Sequence, residues 1–312
     1  MTVYKDNKIC TVVPAFNEEE HILKVIHSIP SFIDQIIVID DKSSDNTYKL
    51  AANGNDPRII SIKHEINQGV GGAIITGHKK AIELGHDISV VMAGDAQMDP
   101  KYLPKLLDPL IDEGYHYSKG NRFMRKESLK GMPRLRIIGN MILTFLTKLS
   151  SGYWNIFDPQ NGYTAIKLNV FDEIDMEELA KRYEFENSML LHLNIGNFRV
   201  KDISIPALYG DERSKIKLYK FIPRTSLFLL NGFLYRLYQK YTLRNFHPII
   251  IFLLFGSLLF TIGLLVGLFL IYYNIQHISM SAGTVELSVL PLILGFQLML
   301  TGIILDVNET PK

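Results

Sequence analysis

Cysteine is nearly absent from this chain, because Cys10 is the only one among its 312 residues. A single cysteine excludes an internal disulfide and fits a protein of the reducing cytosol. Cys10 lies in the apolar segment 9–13, so we interpret it as a small buried hydrophobic residue. No cleavable signal peptide is expected, since residues 2–8 are mostly polar.

Several motifs that mark common enzyme classes are also missing. No Gly-x-Gly-x-x-Gly follows the first predicted strand, which argues against hydride transfer with a dinucleotide. The chain has no Gly-Lys-Ser/Thr phosphate loop and no Gly-x-Ser-x-Gly turn, which argues against P-loop nucleotide hydrolases and α/β-hydrolases. The nine histidines show no zinc-ligand spacing and are interpreted as ordinary residues.

Charge is absent from two long segments near the C-terminus. Residues 248–273 form a run of 26 without a charge, which as a helix would span roughly 39 Å and cross a bilayer of about 30 Å with tilt. Residues 288–305 form a second run of 18, for which a buried core helix is the alternative. The connector 274–287 has Glu286 as its only charge. The pattern predicts two transmembrane helices joined as a hairpin, with both ends on one side of the membrane.

Acidic residues are absent from the segment that precedes these runs. Residues 213–247 contain eight Lys or Arg and no Asp or Glu, whereas residues 1–212 contain 24 basic and 29 acidic residues, a net charge of −5. The positive-inside rule therefore predicts an integral membrane protein with its N-terminal domain and both termini in the cytoplasm. Phe and Leu alternate with the basic residues, which predicts helices in the headgroup region. An amphipathic helix packed on the domain is the alternative, and the acidic domain argues against nucleic acid as a partner.

The rest of the chain alternates between short apolar runs and helix-like segments. This alternation predicts an α/β domain with a mostly parallel sheet and crossover helices. The predicted strands are 9–13, 35–39, 59–62 and 89–92, and the predicted helices are 18–28, 45–53, 70–84, 102–113 and 135–148. In open sheets of this kind, ligands bind beyond the carboxyl ends of the strands.

Oxygen-bearing side chains follow the strand at 89–92. Asp95, Gln97 and Asp99 lie within five positions, and oxygen ligands suit Mg²⁺ or Mn²⁺ bound together with a nucleotide diphosphate. Asp99 before Pro100 also has the pattern of a helix N-cap. We expect Asp99 to start the next helix and the other two residues to face the cleft.

The other predicted strand ends are polar as well. Asn17 with Glu20 matches a capping box, while Asp40 and Asp41 place two adjacent carboxylates at a strand end. A cation, a ribose, a base or water would offset their repulsion. The glycine-rich turn 67–72 lets the backbone approach a ligand or the neighbouring helix.

Five strings in order resemble family 2 glycosyltransferases of the GT-A fold, and more narrowly the polyprenyl-phosphate sugar synthases of the dolichyl-phosphate mannose synthase group. The resemblance covers residues 8–215. The strings are Val-Val-Pro-Ala-Phe-Asn-Glu-Glu, Val-Ile-Asp-Asp-Lys-Ser-Ser-Asp, Asn-Gln-Gly-Val-Gly-Gly-Ala, Gly-Asp-Ala-Gln-Met-Asp-Pro and Lys-Gly-Asn-Arg-Phe.

The resemblance implies a role for individual residues. The donor nucleotide sugar would be held by Pro14, Phe16, Glu18, Asp40, Asp41, Gly72, Ala93 and Arg213. A divalent ion, Mg²⁺ or Mn²⁺, would be held by Asp95 and Gln97. The acceptor phosphate would be held by Arg122, Arg136 and Asn140, and Lys215 would contact the donor pyrophosphate. Asp158 is expected to contact the sugar.

Two positions depart from the family pattern. Ala93 replaces the first Asp of the metal motif, so the site has one carboxylate fewer. Tyr209 replaces an Arg that the family often has six positions before Lys215, and Arg213 is the expected substitute.

The implied activity is transfer of a hexose, with inversion, from a UDP- or GDP-sugar to dolichyl or undecaprenyl phosphate at the cytoplasmic membrane face. The expected organisation is a GT-A catalytic domain at 1–215, basic amphipathic juxtamembrane helices at 216–246, and two transmembrane helices with a short tail at 247–312. The alternatives are a processive polysaccharide synthase and an inactive sugar-nucleotide-binding scaffold, and a homo-oligomer is left open. A processive synthase would carry Gln-x-x-Arg-Trp, whereas the only tryptophan, Trp154, follows Ser-Gly-Tyr.

Overall fold

The computed structural model describes residues 4–122, 134–158, 160–206 and 218–311, with side chains from Met141 onward in the fifth helix and from Thr225 onward in the seventh. The chain divides into two compact units. The first comprises residues up to Phe233 with the last two residues, and the second comprises Leu234–Thr310.

The first unit contains a mixed sheet of seven strands in the described residues, in the order β3-β2-β1-β4-β6-β5-β7. Strand β6 is antiparallel to β4 and β5, and the other pairs are parallel. The mostly parallel α/β sheet is therefore confirmed. The strands are β1 (Ile9–Ala15), β2 (Gln35–Asp40), β3 (Ile59–Lys63), β4 (Ile88–Val91), β5 (Tyr117–Asn121), β6 (Thr164–Lys167) and β7 (Val200–Ser204).

Helices α1 to α5 correspond to the five predicted helices, although α1 begins four residues later than predicted. The sequence did not predict β5, β6, β7 or α6. The helices are α1 (Ile22–Ser28), α2 (Thr47–Ala52), α3 (Val70–Glu83), α4 (Leu103–Asp112), α5 (Arg134–Ser151), α6 (Phe185–Ile195), α7 (Leu218–Tyr238), α8 (Pro248–Ile275) and α9 (Ala282–Asn308).

Strands β1, β2 and β4 are mostly apolar because both faces of the sheet are covered there. In β2, Ile37 and Ile39 belong to the core on the α3 side, whereas Ile36 and Val38 belong to the core on the α1 side, as the alternation of strand side chains requires. Cys10 is fully buried in the α3-side core, which confirms its interpretation as a core residue.

The second unit contains the predicted hairpin, formed by α8 and α9. Small residues repeat every seven positions along the contact, at Gly256 and Gly263 of α8 and at Ser288, Gly295 and Gly302 of α9. A Cβ at Gly295 would lie 2.4 Å from the backbone nitrogen of Phe260, so larger residues would separate the helices. Both helices are long and apolar enough to cross a membrane.

A buried ion pair lies where the basic segment meets the hairpin. Arg236, at the end of α7, is fully buried and binds Asp306 of α9 through Nη1–Oδ1 (2.6 Å) and Nη2–Oδ2 (2.9 Å). Tyr241 donates its hydroxyl to the same carboxylate at 2.7 Å. The prediction that the basic residues of 213–247 meet the headgroup region is wrong for Arg236, because it is buried against Asp306, 70 residues away in the sequence.

Candidate active site

Three of the predicted polar strand ends meet at one edge of the sheet. Strand β1 pairs with β2 on one side and with β4 on the other, so the carboxyl ends of all three lie side by side. The backbone joins them beyond the strands, because Asp41 N donates to Ala15 O at 2.9 Å and Gly94 N donates to Pro14 O at 3.1 Å.

The loops after these three strands each contain a non-glycine residue in the left-handed backbone region. These are Asn17 (φ 58°), Lys42 (φ 65°) and Ala96 (φ 58°). Such conformations cost roughly 1–3 kcal/mol each and concentrate at functional sites. The edge is therefore strained at three neighbouring loops.

Asn17 bridges two of these loops and does not cap a helix. Its Oδ1 accepts from Ser44 N at 2.9 Å, and its backbone N donates to Ser43 Oγ at 2.9 Å. The predicted capping box with Glu20 is wrong, because α1 begins only at Ile22, with His21 at the N-cap. The predicted N-cap of Asp99 is confirmed, since its side chain accepts from Lys101 N.

Both carboxylate oxygens of Asp41 are hydrogen-bonded within the protein. Oδ1 accepts from Gln68 N and meets His64 Nδ1, both at 2.8 Å, while Oδ2 accepts from Gly69 N at 2.8 Å. Asp41 thereby connects the end of β2 to the loop that leads into α3. The carboxylate therefore has a structural role.

The carboxylate of Asp40, in contrast, is only partly hydrogen-bonded by the described residues. Its residue surface is 0% exposed and Oδ2 accepts a long bond from Ser43 N at 3.3 Å, but Oδ1 has no hydrogen-bond partner among the described residues. A buried polar oxygen without a donor is costly, and such atoms often mark the place of a ligand. Asp40 is the candidate acceptor for an N–H or O–H group of a bound molecule.

The glycine-rich turn approaches protein backbone. Gly72 N donates to Lys181 O at 2.9 Å. A Cβ at Gly71 would lie 2.6 Å from Ala180 O, and one at Gly69 would lie 2.7 Å from Lys181 O. Glycine is required at these positions because the segment before α6 passes close to them. Nothing in the sequence indicated this contact.

The metal motif offers a single carboxylate at this edge. Asp95 is partly exposed and Oδ1 accepts from Gln97 N at 3.0 Å, whereas Ala93 N donates to Met98 Sδ at 3.2 Å. The described residues contain no group of three or more His, Cys, Asp and Glu suited to a metal ion. Asp95 and Gln97 fit a cation that arrives with a diphosphate, since Mg²⁺ commonly uses one or two carboxylates plus substrate phosphates.

Arg122 lies directly after β5 and is paired with a carboxylate. Its Nε donates to Asp158 Oδ2 at 2.8 Å and its Nη2 donates to Oδ1 at 3.1 Å. Asp158, expected at the sugar, is buried beneath this arginine. Arg136 and Asn140 lie one turn apart on α5, with side chains outside the described residues. Tyr209, Arg213 and Lys215 also lie outside them.

A buried charged group next to Arg122 was missed from the sequence. Lys119 of β5 is fully buried, and its electrostatic neighbours include Asp158, Glu186 and Asp202. Burial lowers the pKa of Lys119 to about 8 and raises the pKa of Glu186 and Asp202. Short strands with inward-facing charges have no apolar run, so no sequence signal indicated this cluster.

The two adjacent aspartates should differ in their sensitivity to the same substitution. Asp41→Asn places an amide against two backbone N–H donors and should lower the free energy of unfolding by about 2–4 kcal/mol. Asp40→Asn should change it by less than about 1 kcal/mol, because Oδ1 has no donor among the described residues. Thermal unfolding of the detergent-solubilised full chain measures both, and equal losses would contradict these assignments.

Sequence comparison with known proteins identifies a family and several relatives. The family model "Glycosyl transferase family 2" matches residues 10–175. A UDP-N-acetylglucosamine–dolichyl-phosphate N-acetylglucosaminyltransferase of Methanococcus voltae is 37% identical over 218 residues, covering 64% of this chain and 86% of that protein. An undecaprenyl-phosphate mannosyltransferase of Micrococcus luteus is 25% identical, covering 58% of this chain and 76% of that protein.

Solved structures support the fold. Glucosyl-3-phosphoglycerate synthase from Mycobacterium tuberculosis, in complex with Mn²⁺, UDP-glucose and phosphoglyceric acid, superposes with a TM-score of 0.55 at 20% identity, over 74% of this chain and 80% of that one. It is a GT-A neighbour that holds a divalent ion. The chain belongs to glycosyl transferase family 2 and has the GT-A fold.

Proposed function

We propose that this chain transfers a sugar from a nucleoside diphosphate to a polyprenyl phosphate, with inversion, at the cytoplasmic face of a membrane. Its relatives are glycosyltransferases acting on polyprenyl phosphates. The observation that carries the donor half is the buried Oδ1 of Asp40 at the strained sheet edge, which has no hydrogen-bond partner in the part of the chain that the structure describes.

The donor is proposed to bind along the ends of β1, β2 and β4. Asp40 Oδ1 would accept from the base N–H or a ribose hydroxyl, and Phe16, which is 49% exposed, offers an aromatic face beside the buried Pro14. A UDP-sugar is the first candidate, with N-acetylglucosamine as the first sugar, because the Methanococcus voltae relative is named for that donor. A GDP-sugar is the second.

The acceptor is proposed to bind at Arg122 together with Arg136 and Asn140 of α5. Arg suits two-point contact with phosphate. A lipid monophosphate has a second pKa near about 6, so at neutral pH its oxygen is already the nucleophile and no general base is needed. Positioning then suffices for in-line attack.

The proposed step is a single displacement at the anomeric carbon. A phosphate oxygen of the lipid forms a bond to that carbon, while the bond from it to the donor diphosphate breaks and the nucleoside diphosphate leaves with the electron pair. Asp95 and Gln97 would hold a divalent ion, which when bound offsets the negative charge of the diphosphate. Lys215 is proposed to contact the same diphosphate.

Exposed apolar surfaces of α5 and α7 are proposed to contact the membrane, in addition to the hairpin. Large apolar side chains are exposed on α5, at Met141, Ile142 and Phe145, and along α7, at Leu227, Leu230 and Leu234. An exposed apolar patch of this kind suits lipid. The same membrane would present the polyprenyl chain next to the acceptor arginines.

The transfer is tested with membranes that contain the protein. Radiolabelled UDP-N-acetylglucosamine, UDP-glucose and GDP-mannose are incubated separately with Mg²⁺ and polyprenyl phosphate, and the lipid extract is counted. One donor should label the lipid. Asp95→Ala should abolish the label, because the only carboxylate of the metal motif is lost, and Arg136→Ala should mainly raise the KM for the lipid. Donor binding without any lipid label would support the inactive scaffold instead.

The topology is tested by cysteine labelling. Cys10 is buried, and burial raises the pKa of its thiol to about 12, so the native chain should stay unlabelled. A membrane-impermeant maleimide should label Ser279→Cys, in the exposed connector, in intact cells. It should label Asn308→Cys only after permeabilisation. The reverse pattern would contradict the proposed orientation.

A further inference from the structure

The two side chains of the Arg122–Asp158 ion pair differ strongly in solvent exposure. The Arg122 side chain is 39% exposed, while the Asp158 side chain is 1% exposed. Besides the two guanidinium bonds, Asp158 Oδ2 accepts from Arg122 N at 3.1 Å. One buried carboxylate therefore fixes both the backbone and the side chain of an arginine that reaches solvent at the end of β5.

A second basic group lies near this carboxylate. Asp158 and the fully buried Lys119 are electrostatic neighbours, so Asp158 has a basic group beside it in addition to Arg122. Glu186 and Asp202 are two further carboxylates near Lys119, and both are partly exposed.

The loop that carries Asp158 is fixed to the same strand. Asn161 N donates to Asp158 O at 3.3 Å, and Gly120 N of β5 donates to Tyr163 O at 2.8 Å. A Cβ at Gly120 would lie 2.7 Å from Asn161 Nδ2. These contacts hold the loop of Asp158 against β5 without involving Arg122. Asp158 can therefore act as a fixed support for that arginine.

We propose that Asp158 is a positioning residue for the acceptor, which holds the Arg122 guanidinium in the orientation that meets an isoprenyl monophosphate, with Lys119 supporting its charge. The inference rests on the proposed function. An arginine ordered before binding loses less rotamer freedom on contact with the phosphate, so the carboxylate strengthens binding even though its own charge opposes that of the ligand.

The test measures binding of farnesyl phosphate, a short isoprenyl monophosphate, to the detergent-solubilised full chain by calorimetry. Asp158→Asn should weaken the Kd about tenfold, which corresponds to roughly 1.4 kcal/mol. Arg122→Ala should weaken it at least as much. The double variant should bind no more weakly than Arg122→Ala alone, because Asp158 acts only through that arginine.

Asp202→Asn is the matched control. Asp202 is another carboxylate near Lys119, but its Oδ2 accepts from Asn121 Nδ2 and Phe157 N. Asp202→Asn should change the Kd for farnesyl phosphate by less than about twofold, because Asp202 bonds to Asn121 and Phe157 and not to the Arg122 guanidinium. Asp158→Glu keeps the charge and should recover part of the binding, which also covers the case in which Asp158→Asn does not fold.

Three results would overturn the inference. Asp158→Asn could bind farnesyl phosphate as tightly as the native chain or more tightly, its effect could add to that of Arg122→Ala, or Asp202→Asn could weaken binding equally. Because the readout is binding, it is separate from sugar transfer. Lipid labelling by the native chain together with any of these results would leave the proposed function standing.

Discussion

The carboxylate of Asp41 is the contact on which the candidate site depends. It receives the backbone N–H groups of Gln68 and Gly69 and contacts His64, so it joins the end of β2 to the start of α3. Adjacent side chains at a strand end point to opposite faces. Asp40 therefore lies on the other side, where its Oδ1 has no hydrogen-bond partner among the described residues, and a binding role is proposed for it while Asp41 has a structural one.

Hydrogen bonds between side chains and backbone also connect the loops that follow β1 and β2. Backbone groups of the β1 loop donate to Ser43 Oγ and Thr47 Oγ1, and Asn17 accepts from the backbone of the β2 loop in return. Such bonds hold Asn17 and Lys42 in left-handed conformations that isolated peptides avoid. A strained edge that is fixed before the ligand arrives reduces the ordering cost of binding.

The sequence predicted the first four strands and the hairpin because each depends on local composition. Strands β1, β2 and β4 are covered on both faces and are nearly free of polar residues, while the hairpin repeats small residues along uncharged runs. Strand β5 was missed because it buries Lys119.

The wrong predictions share one cause, which is dependence on partners far along the chain. Asn17 is held by Ser44, and Arg236 is held by Asp306. No periodicity or short motif contains such pairs. The predicted roles of Arg136, Asn140 and Lys215 stay predictions.

We propose Asp40 as the protein group that accepts a hydrogen bond from the bound donor nucleotide. A crystal structure of the chain with UDP and Mn²⁺ would test this role. We expect a base N–H or ribose hydroxyl within about 2.7–3.2 Å of Asp40 Oδ1, with Asp41 still bound to Gln68 and Gly69. A nucleotide bound elsewhere, or one that leaves Asp40 Oδ1 without a partner, would contradict it.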